Sequence, residues 1–394
     1  VLDKNFALPD DIYSGTFKRL DITGISPTDF INAKDISVGD IIINEPDITI
    51  THKKRNYNTP DTGNFYNRIA PKNESYAINK LLLKNIQLLH NNLDKKQSSQ
   101  LKNLTAVLED IKIDSSSVHD STRFLFAKEA SMFLKNYSTT TANKLYNFTI
   151  DSIALKPQQG SLLAKNVKLQ PIGTKDEFRT KVEFKQDRFD IFFDEAIFKQ
   201  VDWWNLIGNE GIFADSVYLK AGHINVYSDK RLPMSGKSKV GNYPHQMLTK
   251  IDLPLYVKYI ALNNIDVTFE EFNPVSGQSG KLIFNNTEGK IWNITNMPEQ
   301  IASNGEMKVT AKTKFMNEAN LDVVFDFNLA KVDKGVFSVD ATMGAMDGKK
   351  LNKASEGLGM VMVEDLQIDE LKVHVSGNDY NGKGTVLFAY HDLK

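Results

Sequence analysis

The chain has 394 residues, which is enough for two or three domains of about 150 residues each. Its 48 Lys and Arg residues are balanced by 49 Asp and Glu residues, and the net charge of -1 does not predict the basic surface that nucleic acids require. The absence of cysteine excludes disulfides, thiolate nucleophiles and cysteine zinc sites. No apolar run approaches the roughly 18 residues of a membrane-spanning helix, so we expect a soluble chain with any anchor upstream of Val1.

Apolar residues alternate with polar residues along most of the chain. Such alternation predicts strands with one buried face, and the turn residues between the runs predict antiparallel hairpins. Where two successive apolar positions are three residues apart, a regular strand would turn the second one to the other face. We therefore predict a bulge or break near Gly39 and near Asp215. The first strong pattern has spacings of 2, 3, 2, 5 and 2 and comprises Ile36, Val38, Ile41, Ile43, Ile48 and Ile50. The second has spacings of 2, 3, 2, 3 and 2 and comprises Tyr76, Ile78, Leu81, Leu83, Ile86 and Leu88.

Both patterns occur a second time. The first returns after 176 positions, the distance from Ile36 to Ile212, and the second after 179 positions, the distance from Tyr76 to Leu255. We infer two related β units, residues 1–186 with an N-terminal tail at 1–14, and residues 187–394. Chance alternation in a β-rich sequence is the alternative explanation. The repeats are Ile212, Ala214, Val217, Leu219, Ile224 and Val226 for the first pattern, and Leu255, Val257, Ile260, Leu262, Ile265 and Val267 for the second.

Few helices are predicted. Short helical turns are expected at Ser26–Ile31 and Asp202–Ile207, where Ser or Asp can cap the free N–H groups, and a short helix near 349–360. Residues 88–110 could form either helix or strand, and we assign 121–135 to a strand. Trp203 and Trp204 favour a core contact of the second turn over a ligand platform or a membrane-interface contact. The predicted fold is mostly β, with two related antiparallel-sheet halves and few short helices.

No local motif for catalysis or metal binding is present. None of the seven histidines lies close enough to another to suggest a metal pair. The adjacent acids Glu270 and Glu271 would point to opposite faces of a strand, and we interpret them as solvated charge. We therefore predict no catalytic residues, no metal and no cofactor. An enzyme whose residues come from distant loops is the least favoured alternative.

Three segments resemble the AsmA-like family of Gram-negative envelope proteins, particularly the large versions found in Bacteroidota. They are Phe213–Arg231, Tyr259–Phe272 and Gly384–Lys394. The resemblance covers most of the chain and consists of strand patterns. It implies an extended curved sheet with an apolar groove, in a periplasmic protein that an N-terminal helix outside this chain anchors in the inner membrane. It also implies a role in phospholipid transport or outer-membrane biogenesis.

Two functional hypotheses remain open at this point. The first is a non-catalytic groove that binds phospholipid acyl chains, since an apolar sheet face must be covered by another layer, by its own curvature or by a ligand. The second is a structural or assembly scaffold that closes its apolar faces internally and binds envelope proteins, but no lipid, through edges or loops. The candidate groove residues are Ile36, Val38, Ile41, Ile43, Ile48, Ile50, Ile212, Val217, Leu219, Ile224, Val226, Ile260 and Leu262.

Overall fold

The protein is mostly β, as the alternation predicted. A computed structural model describes residues 10–25, 28, 35–54, 75–94, 97–117, 120, 122–207, 211–234 and 240–394. Strands account for 63% of the described residues and helices for 13%. Nineteen strands are found in this part of the chain. Their pairing is mixed, partly antiparallel and partly parallel. Most of the described strand pairs are antiparallel, as we expected, and three are parallel: Asp35–Asn44 with Ser75–Asn92, Asp47–His52 with Ser75–Asn92, and Ile212–Asp229 with Leu255–Asn273.

The chain divides into two compact units. Unit 1 is Val1–Tyr137 with Asp151–Leu162, and unit 2 is Ser138–Ile150 with Leu163–Lys394. The division between residues 186 and 187 that we inferred from the repeat stays a prediction. The first nine strands are β1 (Asp11–Thr16), β2 (Arg19–Ile22), β3 (Asp35–Asn44), β4 (Asp47–His52), β5 (Ser75–Asn92), β6 (Gln97–Ile113), β7 (Ala127–Thr140), β8 (Tyr146–Lys156) and β9 (Ser161–Pro171). The ambiguous residues 88–110 lie mostly in β5 and β6, and the predicted strand at 121–135 begins only at Ala127.

Unit 2 contains a long series of paired strands. Its strands pair in the order β10, β11, β12, β13, β14, β15, β16, β18 and β19, with the short β17 also against β18. These strands are β10 (Arg188–Lys199), β11 (Ile212–Asp229), β12 (Leu255–Asn273), β13 (Gln278–Thr295), β14 (Glu306–Phe315), β15 (Ala319–Asn328), β16 (Phe337–Met343), β17 (Met346–Asp347), β18 (Gln367–Gly377) and β19 (Gly382–His391).

The helices are short. The described α-helices are α1 (Lys175–Thr180), α2 (Trp203–Ile207), α3 (Pro244–Leu248), α4 (Pro298–Ser303) and α5 (Asn352–Gly359). The 3₁₀ helices are Pro157–Gln159, Leu329–Lys334 and Gly348–Leu351. Helix α2 lies at the turn predicted for Asp202–Ile207, and α5 with the preceding 3₁₀ helix lies where a helix was predicted near 349–360. Trp203 is buried, in agreement with a core contact. The turn predicted at Ser26–Ile31 falls almost entirely outside the described residues.

The strand registers of the two units show the sequence displacement. In unit 1, Ile22 pairs with Ile41, and 176 residues later Phe198 pairs with Val217. The parallel pair of Ile48 with Leu88 likewise corresponds to Ile224 with Val267. Because pairing partners correspond as well as apolar positions, chance alternation does not explain the repeat.

Extra residues keep the apolar set on one face. Glu45 and Asn85 in unit 1, and Ala221 and Asn264 in unit 2, have left-handed backbone conformations with φ between 44° and 56°. Each lies within a long spacing, and the register of β12 with β13 shifts around Ile265, directly after Asn264. An inserted residue restores the alternation, so a spacing of three or five does not turn the strand over.

At the bulges or breaks predicted near Gly39 and Asp215, residues are skipped in the pairing of two strands. Gly39 and Asn79 are both left out of the pairing of β3 with β5, and Asp215 and Lys258 are both left out of that of β11 with β12. Since both strands omit one residue at the same level, the register does not shift.

Candidate functional site

A row of apolar residues crosses unit 2 at right angles to its strands. Directly opposed residues of paired strands have their side chains on the same face, so a chain of opposed pairs marks one line across the sheet. The six residues of this line that have a side chain are half-buried. The seventh residue is a glycine. Three of its seven residues are Gly or Ala, and Gly289 is buried, with the side chain of Leu262 against it. We call it the central row, and it comprises Leu219, Leu262, Gly289, Ala311, Val323, Ala341 and Val373.

The central row lies between two enclosed clusters. Along β15, alternate residues share a face, and Phe325 and Phe327 belong to a first cluster while Ala319 and Leu321 belong to a second. Val323 lies between them and is in neither cluster. The first cluster is built around Ala214, Val217, Val257, Ile294, Met307, Phe327 and Leu329. The second is built around Met316, Ala319, Met343, Met346, Leu366 and Ile368.

Short helices and their flanking segments cover the two clusters. Leu248 of α3 and Ile301 of α4 pack against the first cluster. Leu351 and Val363, on either side of α5, pack against the second cluster. Helix α5 approaches β13 closely at Gly357, where an added Cβ would lie 2.5 Å from the carbonyl carbon of Ser279. The same alternating strands thus provide closed core at both ends and a partly exposed line between them.

The opposite face of the same strands is polar. Lys308 and Lys312 of β14 form cross-strand ion pairs with Asp326 and Asp322 of β15, at 3.5 and 3.3 Å. On the next strand pair, Nδ1 of His374 lies 2.7 Å from Oδ1 of Asp340. Unit 2 between β14 and β18 is therefore a sheet with one apolar and one charged face.

Unit 1 contains a shorter row at the equivalent level. Ile43 opposes Leu83 in the parallel pair that corresponds to Leu219 and Leu262. The row continues through Ala106 to Met132. All six candidate residues of unit 1, Ile36 to Ile50, are half-buried.

The candidate residues of unit 2 fall into two groups. Val217 is 5% exposed and belongs to the first cluster, and Leu219 and Ile260 pack against that cluster from its margin. The first cluster encloses Val217, and its role as a groove residue stays a prediction. The half-buried candidates outside the first cluster are Ile212, Ile224, Val226 and Leu262.

Sequence reasoning missed most of the central row. Ala311, Val323, Ala341 and Val373 lie on β14 to β18, to which we extended no part of the repeat. Their alternation was visible, as in Leu321 and Val323. The signal that singles them out, small residues placed opposite one another, appears only once strand register is known.

We had interpreted the adjacent acids of β12, Glu270 and Glu271, as solvated charge. The structure corrects this interpretation. Both carboxylates are largely buried, Glu270 with Lys175 and Lys281 and Glu271 with Lys185 and Lys230. Burial alone would raise the pKa of each, but the lysine contacts, together with a hydrogen bond from Ser279 to Glu270, outweigh it, so both pKa values lie below the ordinary range.

Another ion pair, between Arg231 and Asp229, lies in the same region. Arg231 donates to the buried carboxylate of Asp229, with Nη2 2.6 Å from Oδ2, and its guanidinium lies 4.3 Å from the ring centroid of Phe272. Burial again opposes ionisation of Asp229, and its pKa is nevertheless lowered by Arg231. Each acid thus has its own basic partners, so these groups stabilise the ends of β11 and β12.

The described part of the chain lacks two other functional features. It contains no group of three or more His, Asp and Glu side chains placed to hold a metal ion. No helix there is both long and apolar enough to cross a membrane. Neither protein-family models nor curated protein sequences give a match to the chain.

Proposed function

We propose that the chain is a non-catalytic, AsmA-like protein of the cell envelope whose apolar sheet face binds phospholipid acyl chains. The observation that carries the proposal is the central row, a line of apolar side chains that stays half-buried between two enclosed clusters. A sheet with such a line has apolar surface left for a ligand, and an acyl chain can cover it without any specific polar contact.

The whole central row crosses six gaps between strands, which at 4.8 Å each is about 29 Å, and part of this length suits one acyl chain. From Gly289 of β13 to Val373 of β18 the row crosses four gaps between strands, which at 4.8 Å each is about 19 Å. One leaflet of a bilayer has a hydrocarbon thickness of about 15 Å. Each buried CH₂ contributes about 0.8 kcal/mol, so one or two chains could be held while the headgroup stays in water.

The cellular part of the proposal depends on the resemblance alone. It comprises a periplasmic location, an inner-membrane anchor outside this chain, and a role in phospholipid transport or outer-membrane biogenesis. No nucleic-acid partner is proposed, since the charge of the chain is balanced.

The assembly scaffold remains the second candidate, and β19 favours it. This strand pairs with β18, and its Val386, Leu387 and Phe388 are 65%, 56% and 42% exposed. Native edge strands usually carry charges, Pro or bulges that block further pairing, and residues 385–390 contain no charge or Pro. A strand of a protein partner could therefore add to this edge.

Native mass spectrometry with lipid extraction, on protein purified from a Gram-negative host, tests the choice. The groove predicts co-purified phospholipid, whereas reproducibly empty protein favours the scaffold. Val323→Asn should lower loading about tenfold, because an amide without partners costs roughly 1–3 kcal/mol against an acyl chain.

Val324→Asn is the matched control. It makes the same change on the same strand, but Val324 opposes Thr310 and Asp340 on the polar face. Loading should stay at the wild-type level. Equal loading in both variants would contradict an acyl site at the central row.

A further inference from the structure

A short flap covers the first cluster. Residues 240–251 contain α3, whose Leu248 packs against the cluster. The ring of Tyr243 lies 4.9 Å from that of Phe337, and the ring of His245 lies 5.1 Å from that of Phe327. Without this flap, Phe327 and Phe337 would extend the partly exposed face towards the ends of β15 and β16.

His245 is an unusual residue for such a contact. It is 0% exposed, and neither Nδ1 nor Nε2 has a hydrogen-bond partner. Buried polar groups are nearly always paired, so an imidazole enclosed by aromatic rings is a costly arrangement that calls for an explanation. A neutral ring tolerates these surroundings, whereas a charged ring does not.

The charged groups around the flap do not supply a close partner. Asp379, in the turn between β18 and β19, accepts hydrogen bonds from the side chain of Gln246 and the backbone N–H of Gly241. Burial lowers the pKa of His245 below its ordinary 6.5, and the attraction of Asp379 offsets this only in part. The other charged residues on the elements packed against α3 or next to it are Lys331, Asp333 and Lys334 of the 3₁₀ helix, Lys250 and Asp252 after α3, Asp322 and Asp326 of β15, and Asp340 of β16. The aspartates of β15 and β16 lie on the polar face, where each has a basic partner.

We propose that protonation of His245 releases the flap and uncovers Phe327 and Phe337, which enlarges the apolar face for acyl chains. The enlargement of the binding face depends on the function proposed above, whereas release of the flap does not. Asn296 holds the C-terminal end of the flap in place. Its side-chain N–H groups donate to the carbonyl of Ile251 and to that of Leu253, just after the flap. Those bonds do not titrate, so the segment can open from α3 and close again.

The direction of the pH effect follows from proton linkage. The released flap binds a proton on His245 near pH 6.5, and the docked flap binds it only at lower pH. Docking is thus fully stable above pH 6.5 and weakens as the pH falls below it, until the pKa of the docked state is reached. In that window the opening constant should rise by up to about tenfold per pH unit.

Backbone hydrogen exchange of residues 240–251 in the full chain tests release. Protection relative to the unstructured rate should fall by up to about fivefold between pH 6.5 and 5.5 in the wild type. The His245→Phe variant keeps an aromatic ring without a titrating group, so its protection should not change. His374→Gln, on the polar face, is the control and should behave as the wild type. Unchanged protection in the wild type, or an equal fall in His245→Phe, would overturn the switch.

A second measurement separates the switch from the proposed function. Loading with phosphatidylethanolamine is measured at pH 7.5 and 5.5 for the wild type and His245→Phe. Greater loading at pH 5.5 in the wild type alone supports the regulation. Loading that is equal at both pH values contradicts the regulation but leaves the acyl site intact. No loading at either pH contradicts the acyl site, and hydrogen exchange then still decides whether the flap opens.

Discussion

The central row and the first cluster are made from the same strands but differ in what covers them. On β15, Phe327 is 7% exposed beneath α3. Val323, four residues earlier on the same face, is half-buried. Both residues belong to one continuous alternating pattern. The comparison shows that the pattern decides which face is apolar, and that short helices outside the sheet decide which part of that face becomes core.

The largest expected effect distinguishes the two regions directly. Val217→Asp places a carboxylate without a partner in the first cluster and should destabilise the protein by about 4 kcal/mol or more, enough to prevent folding. Ile224→Asp, on the same strand but outside that cluster, should cost about 1–2 kcal/mol because the charge can reach water. Urea unfolding followed by circular dichroism measures both. Equal costs would show that the two positions are equally enclosed.

A smaller effect is expected at the ion pairs that stabilise the ends of the strands. Arg231→Met leaves the buried Asp229 carboxylate without its main donor and should lower the free energy of unfolding by about 2 kcal/mol. Lys312→Met removes one partner of an exposed ion pair and should cost less than about 1 kcal/mol. Similar losses in both variants would mean that burial of Asp229 carries no energetic weight.

Acid should weaken the same strand ends. The pKa values of Asp229, Glu270 and Glu271 are lowered, so their stabilisation is complete above the ordinary values of 3.8 and 4.5. It is lost as the pH falls through the lowered values of the folded state. We expect the melting temperature to fall below pH 4.5, and to fall less steeply in Glu271→Gln. A parallel fall in both proteins would assign the acid sensitivity to other carboxylates.

The smallest expected effect concerns the inserted residues that keep the apolar face continuous. Asn264 has a φ of 56°, and Asn264→Ala should cost about 1 kcal/mol because alanine is strained in the left-handed region. Asn264→Gly adopts this conformation freely and should be close to neutral. Thermal unfolding of the two variants provides the measurement. An alanine variant as stable as the glycine variant would argue against a strained insertion.

Sequence reasoning succeeded where one strand carries the whole signal. The displacement from Ile36 to Ile212 could be read from spacings, and the registers of both units show it. The left-handed residues explain why spacings of three and five recur, but their sequence identities, Glu45, Asn85, Ala221 and Asn264, do not share one residue type.

Features that depend on a second layer could not be predicted. Val217 and Ile224 belong to the same repeated pattern, and the pattern does not show that only Val217 lies in the first cluster. The partners of Glu270 and Glu271 come from positions as distant as Lys175 and Lys185, which no local spacing connects. The parallel pairing of β11 with β12 also escaped prediction, because alternation is the same in parallel and antiparallel strands.

Thiol footprinting tests the central claim most directly, since the chain has no cysteine of its own. Ala341→Cys places a thiol on the central row, and Thr342→Cys places one next to it on the polar face. With phosphatidylethanolamine bound, modification by a water-soluble thiol reagent should slow about tenfold in the first variant and stay unchanged in the second. Equal rates with and without lipid in Ala341→Cys would show that no acyl chain lies on the central row.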